Sequence, residues 1–265
     1  MHPAYHQARS LLTAFLYRGR RTPVPGATQR GFTLIELSVV VLVIALLLGS
    51  ILVPLTTQAL QRQNADAIRR LEEIKEILIG HALQTAGNLP CPDKTGGGGS
   101  GTANDGVEDV EAGGTCTVAE GNLPWVSLGT PSNDPWGNRY RYRVTGAFAQ
   151  RAPAARFTLS STGDMTVCSS SSSCPGTSTI AASIPAVILS HGRNGRGGFN
   201  ANTNTQNAPP PVSEANENEN ADGDAIFVLK PISAQGSTGG EFDDLVGWLS
   251  ANLLFARMVA GGQLP

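Results

Sequence analysis

Residues 30–61 read RGFTLIELSVVVLVIALLLGSILVPLTTQALQ, and they indicate the class of this chain before any other segment does. No charged side chain occurs at positions 37–61, and the most apolar part covers residues 37–55. At a rise of about 1.5 Å per residue, about 20 helical residues cross the hydrocarbon layer of a bilayer. A secretory signal peptide would have a shorter apolar region that ends at small residues. The stretch therefore predicts a membrane-spanning helix.

A simple one-pass anchor is the plainer interpretation of this stretch, but it leaves Glu36 unexplained, because a carboxylate inside an apolar helix is costly without a partner. The run RGFTLIE at residues 30–36 resembles the processing signal of type IV pilins and pseudopilins. In that family a prepilin peptidase cuts between Gly and Phe and then methylates the new amine. The resemblance implies cleavage between Gly31 and Phe32, N-methylation of Phe32, and a role in filament assembly for Glu36.

The chemistry of Glu36 suits a filament. A buried carboxylate needs a cation or hydrogen-bond donors, and the amino group of Phe32 in an adjacent subunit can supply one. Isolated buried polar groups fix the register of packed helices in coiled coils. We therefore expect Glu36 to set the axial register between neighbouring subunits.

The resemblance implies an α+β, pilin-like fold, in which a long membrane-spanning N-terminal helix packs on an antiparallel β-sheet head with long loops. Its segments are a cleaved basic leader at 1–31, the transmembrane and assembly half of the helix at 32–57, and a periplasmic head at 58–265. The head divides into an amphipathic helical half at 58–87, a connecting loop at 88–139, and a β-sheet region with a short C-terminal helix at 140–265.

The distribution of charge agrees with this division. Five of the 19 basic residues and none of the 21 acidic residues lie in positions 1–31, so the rest of the chain has a net charge of −7. A basic leader that stays in the cytoplasm and an acidic body that crosses the membrane fit such a distribution. The acidic body argues against general binding of nucleic acid.

The periodicity beyond the membrane segment predicts that the helix continues to about residue 86 and stops at Gly87. Its apolar stripe consists of Ile68, Leu71, Ile74, Ile77, Leu78 and Ala82. Runs rich in β-branched and aromatic residues predict strands at 140–144, 156–160, 185–190, 225–230 and 242–249. Ser250 is a candidate cap for a closing helix at 251–260, which Gly261 would end.

Residues 134–142, DPWGNRYRY, resemble the run that leads into the first strand of major pseudopilins. Two other segments predict loops. The first is TGGGGSG at residues 95–101, which has no core-forming side chain, and the second is the polar stretch at 191–224.

The same resemblance raises a calcium site, because major pseudopilins bind Ca²⁺ near the C-terminus through hard oxygen ligands. The relevant residues here are LSHGRNG at 189–195, followed by Asp222 and Asp224. Asn194 carries no charge and Arg193 and Arg196 oppose a cation, so we expect a plain solvated loop and no metal. The pair Asp243 and Asp244 is interpreted as an exposed turn or strand edge.

Four cysteines, Cys91, Cys116, Cys168 and Cys174, lie in the part expected in the periplasm, where disulfides form. Three pairings are possible in principle. Proximity in sequence favours Cys91–Cys116 and Cys168–Cys174. A zinc site built from all four is the weaker alternative, because no C-x-x-C pair is present.

No set of residues in the sequence has the spacing of a catalytic site, so an enzyme is not expected. The leading hypothesis is a structural subunit, a pseudopilin or minor pilin, of a type II secretion or type IV pilus filament. Its expected partners are prepilin peptidase, other subunits, an inner-membrane assembly platform and membrane lipid. The expected location is the bacterial inner membrane, crossed once, with the N-terminus cytoplasmic and the head periplasmic. The alternative is a pilin-like tip module that recognises cargo, a surface or DNA through its exposed loops.

Overall fold

The computed structural model describes residues 31–85, 87–152 and 156–264, and for residues 50–56 it describes the backbone alone. The leader, except for Gly31, therefore lies outside the described residues. Internal contacts divide the chain into two units, residues 1–53 and residues 54–265.

Helix α1, Leu34–Gln84, begins in the first unit and ends in the second. Its bounds lie within two residues of those predicted from the sequence. In the first unit the apolar side chains of residues 32–48 are exposed, Phe32 by 82%. Among the described residues, we find no helix with enough length and hydropathy to cross a membrane.

In the second unit α1 buries one apolar stripe, consisting of Ala67, Leu71, Ile74, Leu78, Ile79 and Ala82. The predicted stripe is wrong at Ile68, which is 52% exposed, because Ala67 takes the buried position beside it. The helix stops as predicted, since Gly87 adopts a positive φ of 104° and its N–H donates to the carbonyl oxygen of Ala82 at 2.9 Å.

This stripe packs on a four-stranded antiparallel sheet with the order β1-β2-β5-β9. The strands are β1 Glu120–Asn122, β2 Arg141–Val144, β5 Ala186–Ser190 and β9 Leu245–Leu249. Strands β2, β5 and β9 confirm predicted strands. Gly247 of β9 lies under the helix, where an added Cβ would be 3.5 Å from Cβ of Leu71. An added Cβ would therefore make ordinary van der Waals contact with the helix.

The other face of this sheet covers a second, three-stranded sheet. Its strands are β3 Met165–Cys168, β4 Thr179–Ile184 and β8 Ile226–Val228, in the order β4-β3-β8. Strand β3 pairs antiparallel with β4 and parallel with β8, so the head is not purely antiparallel as expected. Val187 and Leu189 of β5 and Val246 of β9 pack against Met165, Val167, Ile184 and Phe227.

Short elements complete the head. The helices are α2 Trp125–Leu128, α3 Gly146–Ala149, α4 Ala215–Glu219 and α5 Ala251–Ala260, with a 3₁₀ turn at Ser171–Ser173. A hairpin pairs β6 Phe199–Asn200 with β7 Thr205–Gln206. Helix α5 confirms the predicted closing helix, although the side chain of Ser250 makes no capping hydrogen bond.

The strand predicted at 156–160 is wrong. Phe157 packs its ring against Phe148 and Phe255, with centroids 5.1 and 6.2 Å apart. The residues around it form no ladder. Phe157 is buried in this aromatic cluster, and Leu159, which would share its face in a strand, is 50% exposed.

The glycine-rich loop at 95–101 surrounds a cation from its own chain. The ammonium group of Lys94 donates to the carbonyl oxygens of Gly99 and Ser100 at 2.9 and 3.1 Å. The buried carboxylate of Asp93 accepts from the backbone N–H groups of Asn104 and Gly106. Two adjacent charges therefore hold a loop that has no apolar anchor of its own.

Two disulfides close loops in the head, and they are the pairs that sequence proximity favours. Cys91 is bonded to Cys116 with a Cα–Cα distance of 5.2 Å, and Cys168 to Cys174 at 5.9 Å. The first closes the loop that Asp93 and Lys94 also hold.

Replacing Cys91 and Cys116 together by alanine should destabilise the head more than replacing Cys168 and Cys174. The sequence separations are 25 and 6 residues. Loop-closure entropy then predicts losses of about 3.5 and about 2 kcal/mol in the free energy of unfolding. Equilibrium unfolding in urea measures both. A larger loss from the Cys168–Cys174 pair would contradict this ranking.

Candidate functional site

The first candidate site is the start of α1. Thr33 immediately precedes the helix, and its Oγ1 accepts from the backbone N–H of Glu36 at 3.2 Å. A carboxylate oxygen of Glu36 accepts in return from the backbone N–H of Thr33 at 3.4 Å. This reciprocal arrangement is a capping box, which satisfies two N–H groups that a helix start leaves without partners.

Glu36 therefore has a partner within its own chain, which the sequence reasoning missed. The signal was available, because a Thr followed three residues later by a Glu is the sequence pattern of a capping box. Gly31 and Phe32 both lie before the helix and are exposed. Their roles in cleavage and methylation stay predictions.

The second candidate site begins at the DPWG turn. The carboxylate of Asp134 accepts from the backbone N–H groups of Trp136 and Asn138 at 3.0 and 2.9 Å. Its other oxygen accepts from the hydroxyl group of Ser190, at the end of β5, at 2.6 Å. Burial raises the pKa of Asp134. This one carboxylate therefore fixes the turn and ties it to the LSHGRNG segment.

The LSHGRNG segment turns back sharply after Ser190. Gly192 has a φ of +58°, and an added Cβ would lie 2.3 Å from the backbone oxygen of Asp243. The backbone N–H of Asn194 donates to Oδ2 of Asp243 at 2.9 Å. The acids that meet this turn are thus Asp243 and Asp244, and not Asp222 and Asp224, the two acids that the resemblance suggested.

Three carboxylates converge at this turn. Glu217, Asp243 and Asp244 each offer an oxygen that lies within 4.8 Å of those of the other two. In each residue one oxygen accepts a hydrogen bond. The donors are the amide group of Asn194 to Glu217 at 2.7 Å, the backbone of Asn194 to Asp243 at 2.9 Å, and the amide group of Asn220 to Asp244 at 2.9 Å.

The second oxygen of each carboxylate, Oε2 of Glu217 and Oδ1 of Asp243 and Asp244, is buried without a hydrogen-bond donor. Burial, together with the nearby charges of Asp244 and Asp243, raises the pKa of Glu217 to about 8. Burial also raises the pKa of Asp243. Like charges at this distance are unfavourable unless something positive lies between them.

The interpretation of Asp243 and Asp244 as an exposed pair is wrong, because Asp244 is buried and Asp243 half-buried. Strand β9 starts directly after Asp244, and because most of its residues are buried, the pair of acids before it lies close to the core. A pair of acids directly before a buried strand was the signal in the sequence.

Asp222 and Asp224 have a different structural role. With Glu219 they form a separate acidic group that is mostly exposed. Their carboxylates accept from the backbone N–H groups of Asp224 and Ile226, respectively, at 3.1 and 2.6 Å. They shape the turn into β8.

The three converging carboxylates are suitable ligands for the calcium ion that the resemblance to major pseudopilins suggests. Calcium takes six to eight oxygen ligands, with carboxylates among them. Buried carboxylate oxygens without donors are what such an ion would satisfy. Asp243 and Asp244 are in place to hold it, beside the turn formed by residues 189–195.

Comparison with known proteins finds a match for the N-terminal part of the chain. Residues 26–52 match the family model for the prokaryotic N-terminal methylation motif. This is the signal of type IV pilins and pseudopilins, and it confirms the resemblance read from residues 30–36. The match covers the N-terminal motif alone, 27 of the 265 residues. No curated protein matches the chain, and no solved structure matches it.

Gly192→Ala should destabilise the head by about 2–4 kcal/mol, because it adds both a left-handed backbone penalty and a clash with Asp243. Gly236→Ala is the matched control, since Gly236 has a φ of +84° and nothing lies within 4 Å of an added Cβ. We expect it to cost about 1–2 kcal/mol. Urea unfolding measures both, and equal losses would show that the approach of Asp243 does not constrain this turn.

Proposed function

We propose that this chain is a structural subunit, a pseudopilin or minor pilin, of a type II secretion or type IV pilus filament. A prepilin peptidase cuts it after Gly31, and it assembles through α1. The observation that carries the proposal is the methylation motif at 26–52, directly at the start of a helix with exposed apolar side chains.

The exposed apolar side chains of residues 32–48 must be shielded from water by lipid or by protein. Contiguous apolar surface of this extent marks a site of membrane or protein contact. In the precursor the cover is membrane lipid, and in the filament it is the corresponding helices of neighbouring subunits. This exchange leaves the head outside the membrane throughout.

Glu36 has two successive partners in this proposal. In the separate subunit it caps its own helix through the backbone N–H of Thr33. In the filament the methylated amino group of Phe32 of a neighbouring subunit replaces that weak bond with an ion pair. Since the surroundings there are other helices and not water, the pair matters most after assembly.

The proposed location is the bacterial inner membrane, with the N-terminus in the cytoplasm and the head in the periplasm. The two disulfides of the head favour an oxidising compartment. An inner-membrane assembly platform would extract the subunit from the bilayer. We propose no enzymatic activity for the chain.

Two features bear on the choice between filament types. The DPWG turn and its bond to Ser190 favour a pseudopilin of type II secretion, by resemblance. The long segment between β5 and β8 favours an accessory subunit or a tip module that recognises cargo or a surface. Residues 197–199 of this segment line a cavity of about 280 Å³, together with Asn122 and Arg139. A repeating major subunit would have to pack many copies of this segment.

The proposed subunit also holds a calcium ion in the head, at Asp243 and Asp244. Buried oxygens of both carboxylates without donors support this site. The ion would stabilise the turn that Gly192 and Asn194 form, and it has no part in chemistry.

Processing should leave Phe32 as the first residue of the mature protein. Mass spectrometry of material from a host with active prepilin peptidase should detect this terminus with about 14 Da added by a methyl group. Gly31→Ala should block cleavage. An intact leader in such a host would contradict the proposed function.

Glu36→Ala should leave the subunit processed and folded but reduce its incorporation into filaments by at least about tenfold, since it removes one partner of a buried ion pair. Glu36→Gln should be intermediate, because glutamine retains the capping box but not the charge. Shearing of filaments followed by quantitative immunoblotting measures incorporation.

Thr33→Ala is the matched control, because it removes the cap and keeps the carboxylate. Loss of a cap costs about 1 kcal/mol or less at an exposed helix start, so Thr33→Ala should assemble nearly as the unmodified chain does. If Thr33→Ala and Glu36→Ala were equally defective, capping of α1 and not pairing between subunits would explain the role of Glu36.

A further inference from the structure

The segment at 191–224, called the insert below, is attached to the first sheet through polar side chains. Asn194 donates to Glu217 within the insert and to Asp243 outside it. Asn220 donates to Asp244 at 2.9 Å and to the backbone oxygen of Val228 at 3.0 Å. The predicted exposed loop is therefore wrong for this part, since Glu217 and Asn220 are both buried.

Negative charge dominates this attachment. Five carboxylates lie around it, those of Glu214, Glu217, Glu241, Asp243 and Asp244. Arg196 pairs with Glu214, and its Nη1 atom is 3.5 Å from Glu241 and 3.8 Å from Glu217. Arg193 is exposed on the same side of the head. Two guanidinium groups do not balance five carboxylates.

His191 supplies an observation independent of the carboxylates. Its side chain is buried, and neither ring nitrogen has a hydrogen-bond partner. Its Nδ1 atom lies 3.6 Å from Oδ1 of Asp244, one of the three oxygens without a donor. A polar ring is thus buried against the acidic cluster with its hydrogen-bonding capacity unused, although buried polar groups are nearly always paired.

A shared proton is the alternative occupant. If Glu217 were protonated at Oε2, it would donate to Oδ1 of Asp243, and two of the three oxygens would be satisfied. Oδ1 of Asp244 would stay without a partner. An ion between the carboxylates contacts all three oxygens at once and offsets more of the charge. The geometry therefore favours a metal ion over a proton.

We propose that Glu217 is the third carboxylate ligand of a calcium ion held with Asp243 and Asp244, so that the bound ion ties the insert to the edge of the first sheet. This rests on the calcium site proposed above and adds a ligand from a separate segment. Calcium suits the cluster because magnesium dehydrates reluctantly and keeps several waters, which a buried set of protein oxygens leaves little room for.

The ion would also fix one side of a cavity. The insert contributes Gly197, Gly198, Phe199 and Gln206 to the cavity of about 280 Å³, and β1 and β2 contribute the facing residues. Holding Glu217 at the sheet edge fixes the segment that carries them. Calcium would then fix the shape of this cavity.

The test measures calcium binding by titration calorimetry on the full-length processed protein in detergent micelles, after removal of metal with EGTA. Glu217→Gln removes one charge and keeps the shape and the hydrogen bond from Asn194. Glu219→Gln is the matched control, because it lies on the same helix, α4, but belongs to the exposed acidic group. We expect one calcium ion per chain, and an affinity reduced at least about tenfold in Glu217→Gln alone, since ligand charge tunes such sites.

Thermal unfolding separates a ligand from a structural residue. At a calcium concentration 100 times Kd, the Tm of the unmodified protein and of Glu219→Gln should rise by about 5–10 °C. In EGTA, Glu217→Gln should be at least as stable as the unmodified protein, because it relieves repulsion among buried carboxylates. A merely structural Glu217 would predict the same Tm difference with and without calcium.

Trypsin reports on the insert itself, through cleavage after Arg193 and Arg196. Calcium should slow this cleavage in the unmodified protein and in Glu219→Gln, and much less in Glu217→Gln. Magnesium at the same concentration should protect weakly.

Each outcome is decisive. Absence of calcium binding in the unmodified protein would overturn both the calcium site and this inference, and would favour the shared proton. Unchanged binding by Glu217→Gln would overturn the role of Glu217 and leave the site at Asp243 and Asp244. Tighter binding of zinc than of calcium would overturn the choice of ion and assign His191 as a ligand. None of these results affects cleavage after Gly31, so the filament subunit is tested separately.

Discussion

The apolar stripe of α1 from Ala67 to Ala82 must be buried, and the rest of the head is arranged around that requirement. It lies on one face of the sheet β1-β2-β5-β9, where Leu71 lies over Gly247. Since β5 and β9 are apolar on both faces, the opposite face needs a cover too, and the sheet β4-β3-β8 provides it. Because β5 and β9 are antiparallel, the end of β5 lies beside the start of β9. This pairing brings the turn after Ser190 next to Asp243 and Asp244.

The packing of α1 and the two sheets explains which elements the sequence could predict. Long or strongly apolar segments carry their own periodicity, so α1, β2, β5, β9 and α5 were predictable within a few residues. Strands β1, β3 and β4 were not. Thr179–Ile184 has alanine or serine at three of its six positions and is an edge strand, which its pairing with β3 holds in place. Phe157 shows the opposite case, an apolar residue that joins an aromatic cluster instead of a strand.

The two candidate sites also differ in how far the sequence alone could predict them. The processing signal is local and complete within residues 30–36, so the sequence was enough to recognise it. The acidic cluster joins residues 217 and 243–244, and a turn at 191–195 completes it. Only the pairing of β5 with β9 and the docking of α4 bring these segments together. Asp222 and Asp224, the two acids that the resemblance suggested, accept instead from backbone N–H groups in the turn into β8.

The capping box at Thr33 and Glu36 changes how the assembly segment is understood. In the separate subunit the carboxylate accepts from the backbone N–H of Thr33. In the proposed filament it would exchange that bond for an ion pair with the amino group of a neighbouring subunit.

We propose that α1 assembles in a filament in which Glu36 pairs with a neighbouring subunit, and cryo-electron microscopy of sheared filaments that contain the processed chain can detect this pair. We expect the carboxylate of Glu36 to lie within about 4 Å of the amino nitrogen of Phe32 in an adjacent subunit, the usual limit of an ion pair. A filament in which Glu36 still bonds Thr33 of its own chain, with every amino terminus farther away, would show that Glu36 does not pair between subunits.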